Sequence, residues 1–387
     1  MEKLLNHQVN KIEISGIRKF FNMVSGEKNV ISLTIGQPDF YTPDHIKQAT
    51  TAALLKNQTT YTNNAGIIEL RKAIADFYGN NYNVSFHPED EIIVTTGASQ
   101  GIDIVFRTIL NPGDEVILPA PIYPGYEPLI KLAGANPVHI DTTKHDFKLT
   151  KDILENAITP KTKCVVLPYP SNPTGASFTE NELKELISVL KDKNIFILAD
   201  EIYSQLVYDI QHVSIASFSE VQDQTIVVNG LSKSHSMTGF RIGYVLAPKW
   251  LTKHMLKVHQ YNVSCASSIS QYAALEALTN GLDDPLEMKD VYLTRRDYVF
   301  KRLIQMGLSV NNPNGAFYLF PKFPTSEMSS FELGLDLVKK AKVALVPGGS
   351  FSVYGEGYMR LSYAYNQSTL EEGLNRLENY LIKHMNK

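Results

Sequence analysis

The sequence predicts an α/β protein: a three-layer sandwich with a mainly parallel seven-stranded sheet, plus a smaller α+β domain. Three observations carry this. Short apolar segments alternate with longer stretches whose apolar residues recur at helical spacing, the pattern of a parallel sheet covered by helices on both faces. The chain has 387 residues, enough for one large domain with a smaller one attached. Composition shifts at GLDDP, Gly281 to Pro285, after which a long charged helical pattern begins. The expected division is an N-terminal segment over 1–45 joining the small domain, a large domain over 46–285, and a small C-terminal domain over 286–387.

The strand segments, in order, are EIIVTTG, EVILPA, PVHID, KCVVLPYP, IFILADE, TIVVNG and IGYVLA. Between the fourth and fifth lies TENELKELISVLKDKN, where Leu183, Leu186, Ile187 and Leu190 repeat at helical spacing. After GLDDP come the helical pattern VYLTRRDYVFKRLIQM and two further strand segments, GAFYLFPK and VALVPG. The closing helix, QSTLEEGLNRLENYLIKHM, is expected to open on a capping box formed by Ser368 and Glu371. No internal repeat or low-complexity tract interrupts this order.

Composition excludes several function classes. The net charge of -3 is spread without a basic block, which argues against nucleic acid or an anionic membrane as partner. Cys164 and Cys265 both lie among apolar or small residues and are expected to be core thiols of a reduced, intracellular protein. The N-terminal stretch MEKLLNHQVNKIEISGIRKFF lacks the apolar region of a signal peptide, and no apolar run approaches bilayer-spanning length. A soluble, cytoplasmic protein is expected.

Lys233 stands in GLSKSHSMTGFRIGY, on a loop between the strand segments TIVVNG and IGYVLA. Asn172 follows KCVVLPYP, and Asp200 and Tyr203 follow IFIL. In an open α/β sheet ligands bind beyond the carboxyl ends of the strands, so these polar groups should share one crevice. GASQG, Gly97 to Gly101, follows another strand and opens a helix, and it admits two readings. As a nucleophile elbow it would make Ser99 the nucleophile of a hydrolase, with His212, His235 or His254 as base. As a helix N-terminus it would hold a phosphate on the Ser99 hydroxyl and the amide of Ala98. Neither a dinucleotide fingerprint nor a P-loop is present, and no residue is assigned to a metal.

One cofactor gives the set a common purpose. Pyridoxal 5′-phosphate needs an amine for a Schiff base, a carboxylate to keep its ring nitrogen protonated, and an anion site. Lys233 would form the imine and Asp200 would face the ring nitrogen. Tyr203 and Asn172 would donate to the phenolic oxygen, and Ser99, Ser232 and Arg241 would hold the phosphate.

With these residues in place, the chain resembles the class-I aminotransferases of the fold type I pyridoxal-phosphate enzymes. The pattern G-L-S-K-x-x-S-M-x-G-x-R-I-G, Gly230 to Gly243, fits that family's cofactor-lysine signature. TIGQPDF, YTNNAGIIELR, TTGASQG, PIYPGY, SNPTGA and ADEIY before it, and GAFYLF and MRLSYA after it, fall in family order over nearly the whole length. The resemblance implies that Lys233 is the Schiff-base lysine and proton shuttle, and that Gly97, Ala98 and Ser99 form the phosphate turn. It implies that Tyr123 stacks on the ring, that Tyr61 reaches the phosphate of the neighbouring subunit's cofactor, and hence a homodimer. Arg360 would clamp the substrate α-carboxylate, with Gly36 and Asn172 against it. One departure is Gly230, where some relatives carry a phosphate-binding hydroxyl.

The implied activity is transfer of an amino group from an L-amino acid to a 2-oxo acid, with 2-oxoglutarate and glutamate as one pair. The motif spellings, with SGIRKFFN, look like the bacterial aminotransferase A branch, whose proposed task is transamination of N-acetyl-L,L-2,6-diaminopimelate in lysine biosynthesis. Arg18 is a candidate for a distal carboxylate, as is a residue of a partner subunit. The alternatives are an aspartate or aromatic aminotransferase, a carbon–sulfur β-lyase of the same fold, and the Ser99 hydrolase.

Overall fold

The computed structural model describes residues 1–24, 26–324 and 328–384. A two-residue strand, β1 (Ile31–Ser32), precedes the main sheet. That sheet is built from β2 (Ile92–Thr95), β3 (Glu115–Ala120), β4 (Asn136–Asp141), β5 (Thr162–Pro168), β6 (Phe196–Asp200), β7 (Thr225–Gly230) and β8 (Gly243–Leu246). Each segment expected to be a strand of the sheet is one. Their spatial order is β2-β8-β7-β6-β5-β3-β4, and neighbours are parallel except at β8, which runs antiparallel to both β7 and β2.

Successive side chains alternate between two cores. Val165 and Leu167 of β5 pack with Ile197 and Ala199 of β6 on one face. Cys164, Val166 and Leu198 pack on the other. Burial on both faces is the reason these strands are continuous apolar runs. Helix Glu180–Leu190 buries Leu183, Leu186, Ile187 and Leu190, and Thr179 and Glu182 close its start with a capping box.

The reversed direction of β8 sets the position of Lys233. β7 leaves the sheet and β8 enters it at the same end, with Gly230 paired to Gly243, so the intervening loop is held there. A Cβ at Gly243 would lie 2.6 Å from the Ala98 nitrogen. Glycine therefore lets the start of helix Gly97–Ile109 rest directly on the β7–β8 ladder.

Helix Asp284–Gln305 leads to β9 (Tyr318–Leu319), β10 (Val343–Ala344), β11 (Val346–Pro347), β12 (Met359–Ser362) and the closing helix Gln367–His384. β11, β12 and β9 form an antiparallel sheet, while β10 pairs in parallel with β1. Two expected strands differ from the prediction. GAFYLFPK is extended over a ladder of only two residues, and VALVPG divides at Leu345, where the chain changes partner from β1 to β12.

Two local expectations are corrected. The closing helix is not capped by Ser368 and Glu371: Asn366 Oδ1 accepts from the Thr369 amide and the Ser368 hydroxyl, both at 2.9 Å, and Glu371 accepts from Gln367. Asn is as good a cap as Ser, and it stands two residues earlier. Cys164 is a core thiol, pushed up to about 12 by burial, whereas Cys265 is only half-buried. Among the described residues no helix is long and apolar enough to cross a membrane.

Candidate active site

A cavity of about 310 Å³ opens at the carboxyl ends of β5, β6 and β7, between the start of helix Gly97–Ile109 and the β9–β12 ladder. Lys233 reaches into it from the β7–β8 loop and donates to the Gly36 carbonyl at 2.6 Å. Its amine stands 5.8 Å from the Tyr203 ring centre. The side chain faces the cavity and is half-buried by area, yet protein surrounds it closely. Burial, then the positive charges of Arg360 and Arg241, lower the ammonium to about 8, against the opposing pull of Asp200. A fraction of free amine is thus present at neutral pH, which a nucleophile or proton acceptor requires.

Asp200 ends β6 on the same cavity and is buried. Tyr126 donates to its Oδ2 at 2.6 Å and the Ile202 amide to its Oδ1 at 3.2 Å. Burial pushes this carboxyl above its ordinary value, while both hydrogen bonds and Lys233 hold it down. A buried carboxylate so held offers its charge to a cationic group in the cavity.

The opposite wall carries Arg360 on β12, which is 3% exposed. Its Nη1 donates to Asn172 Oδ1 at 2.9 Å and its Nη2 to the Thr34 carbonyl at 2.6 Å. The guanidinium lies 4.4 Å from the Tyr318 ring centre and 5.2 Å from that of Phe351. Among the described residues its buried Nε has no partner, and no carboxylate pairs with the guanidinium. A buried cation in that state is arranged for an incoming anion.

At the other end, Ser99 and Ala98 sit in the first turn of helix Gly97–Ile109, with Ser232 and Arg241 beside them. Gly97 has φ +75°, and a Cβ there would lie 2.5 Å from Arg241 Nη2. Glycine is needed for the conformation and for the close approach of the guanidinium. The unpaired amides of a helix start, a hydroxyl and an arginine make an anion site.

A model described as aminotransferase class I and II matches residues 28–377. The chain belongs to this family. It is 60% identical to the probable N-acetyl-LL-diaminopimelate aminotransferase of Bacillus subtilis (strain 168), covering 99% of this chain and 97% of that one. It is 40% identical to aromatic-amino-acid aminotransferase 2 of Thermococcus litoralis, covering 97% and 98%. Among solved structures, the aspartate aminotransferase of Rhizobium meliloti superposes with a TM-score of 0.92 at 35% identity, covering 97% and 98%.

The aminotransferase is therefore an enzyme that uses pyridoxal 5′-phosphate and moves an amino group between an amino acid and a 2-oxo acid. The cavity fits that group. It joins a partly neutral amine, a buried carboxylate, an anion site and a buried arginine with an unpartnered Nε.

Most residues selected from the sequence converge here: Lys233, Asp200, Tyr203, Asn172, Ser99, Ala98, Ser232, Arg241, Tyr123, Gly36 and Arg360 line the cavity. Gly97 lies just behind, against Arg241. Tyr61 does not converge; it is 87% exposed, outside the cavity. Arg18 is exposed on helix Gly16–Val24, and only its neighbour Ile17 lines the cavity. None of the histidines needed by a Ser99 hydrolase lines it. His235 is bonded to Ser234 and the Gly281 carbonyl, His212 lies against Tyr169 and Glu201, and His254 is beside Lys257.

Tyr126 and Tyr318 were not selected from the sequence. Tyr126 lay in PIYPGY, three residues after Tyr123, where its polar tip could have been matched to Asp200. Tyr318 lay in GAFYLF, and only the pairing of β9 with β12 reveals it.

Proposed function

We propose that this aminotransferase acts on N-acetyl-L,L-2,6-diaminopimelate and 2-oxoglutarate, as a cytoplasmic homodimer. The carrying observation is the convergence of Lys233, Asp200 and Arg360 on one cavity. The substrate follows the printed name of the relative at 60% identity. When bound, pyridoxal phosphate supplies the electron sink that allows the substrate Cα–H bond to break heterolytically.

The residues of the chain divide the remaining work. Lys233 would hold the aldehyde end of the cofactor, and its amine, when free, would take the proton from the substrate Cα and deliver it to the cofactor carbon that carried the aldehyde. Asp200 keeps the ring nitrogen protonated. Tyr203, with Asn172, donates to the phenolic oxygen. Ser99, Ser232, Arg241 and the amides at Gly97 and Ala98 hold the phosphate. Tyr123 covers one ring face and excludes water. Arg360 binds the α-carboxylate beside Gly36.

Among the described residues the cations lining the cavity are Lys233, Arg241 and Arg360, all engaged by these roles. A distal carboxylate is therefore met by a second copy of the chain, whose exposed Tyr61 reaches the phosphate of this one. The division into a body over 46–285 and one formed by 1–45 with 286–387 is supported by the β1–β10 pairing. A panel of donors with 2-oxoglutarate tests the substrate. N-acetyl-diaminopimelate should give the highest kcat/KM; aspartate or an aromatic donor giving it would replace the assignment. Release of pyruvate and ammonia from cystathionine without an oxo acid would move the enzyme to the lyases.

A further inference from the structure

Tyr318 has no role above, yet it touches two groups that do. It lies buried on β9, opposite Ser362 of β12. Arg360 is two residues back along β12 and so shares a sheet face with Tyr318 as its diagonal neighbour. The guanidinium consequently lies 4.4 Å from the centre of the Tyr318 ring, within cation–π range. The hydroxyl of the same ring is 2.8 Å from the Tyr203 hydroxyl. The two rings meet edge-on at 5.9 Å, and Phe317 edges Tyr203 at 5.4 Å. Gly36 closes another side, since a Cβ there would lie 3.3 Å from the Tyr318 oxygen.

The two hydroxyls carry two protons and use one between them. The other is left for a third acceptor, and Tyr203 keeps it when Tyr318 is the donor. Burial pushes both phenols above their ordinary range, so both remain protonated at neutral pH. The groups facing this pair are Arg360, Asp200 and Lys233, with Tyr123 and Tyr365.

We propose that Tyr318 is a positioning residue that couples the carboxylate clamp to the cofactor's phenolic oxygen: its ring supports Arg360, and its hydroxyl leaves Tyr203 the proton that Tyr203 donates. This rests on the function proposed above. The coupling means that a carboxylate settling on Arg360 presses on the same ring whose hydroxyl orients Tyr203.

The test uses the holoenzyme and its Y318F and Y318L variants. Two quantities are read: the pH midpoint of the visible absorbance change of the loaded protein, and the Kd of hexanoate, an unreactive carboxylate, by calorimetry. Y318F should move the midpoint by about half a pH unit or more while changing hexanoate affinity less than about twofold, because the ring remains. Y318L should move the midpoint and also weaken hexanoate about tenfold. A residue that only fills space would leave the Y318F midpoint in place. An unmoved midpoint in Y318F, or unchanged hexanoate binding in a folded Y318L, overturns the proposal. Should Y318L fail to fold, the Y318F midpoint decides alone. A wild-type protein that shows no visible band with pyridoxal phosphate overturns the proposed function as well, which separates the two failures.

Discussion

Asp200 and Glu201 are adjacent carboxylates, both buried, that serve two different regions. Alternation along the strand end turns Asp200 toward the cavity, where Tyr126 of one core meets it. Glu201 turns to the other core, where Tyr169, Ser214 and Tyr78 donate to it at 3.2, 2.7 and 3.1 Å. His212 Nε2 stands 3.4 Å away, within ion-pair reach but not aligned as a hydrogen bond. Glu201 is closed by its own protein partners, whereas Asp200 shares its cavity with Lys233 and holds an open face to it. Burial of a charge alone does not mark a site; a buried charge whose surroundings leave room for a ligand does.

Substitutions should divide along the same line. The largest effect belongs to the cavity: Lys233→Ala should lower kcat by about 10⁴-fold or more in steady-state assays, by loss of the proton-transferring group. Asp200→Asn should lower kcat/KM by about 10²- to 10³-fold, through loss of fixed charge at the reacting ring, with an unchanged urea midpoint. Glu201→Ala should do the reverse. It strands three hydroxyl donors beside His212 and should destabilise the fold by about 3 kcal/mol, measured by urea unfolding, while the folded fraction keeps its turnover. An active-site phenotype in Glu201→Ala without a stability loss would erase the distinction. The smallest effect is expected beside Asp200: Tyr126→Phe removes one buried hydrogen bond to a charged group, worth about tenfold in kcat/KM or less. It should also raise the Asp200 carboxyl further, since the lost bond favours the anion.

The pH dependence of Lys233 sharpens the cavity side. Burial lowers its ammonium from the ordinary 10.5 to about 8. The unfolded chain therefore binds more protons between these values, so this group makes the cofactor-free protein more stable as pH rises from 8 to 10.5, and contributes no slope below or above. Capture of pyridoxal phosphate by the cofactor-free protein should accelerate with a midpoint near 8. A stopped-flow midpoint near that of an ordinary lysine would contradict the burial argument.

The sequence made one wall of the site legible and left part of the other obscure. Strands buried on both faces are apolar runs, so their ends, and with them Asn172, Asp200 and Lys233, can be placed in one row from the sequence alone. The sequence did not reveal that Glu201 is buried against the opposite core, because the face of a strand-end residue depends on which core each neighbour joins. Tyr318 depends on a two-residue ladder between segments more than forty positions apart in the chain, for which local pattern holds no information. The cap of the closing helix failed for a simpler cause. Asn366 and Ser368 are both good caps, and propensity does not choose between them.

The most direct test of the account is reduction of the loaded protein with borohydride, followed by proteolysis and peptide mass mapping. A single phosphopyridoxyl group is expected, on the peptide that carries Lys233, and none in Lys233→Ala. A modified lysine elsewhere, or a loaded protein that yields no modified peptide, would contradict it.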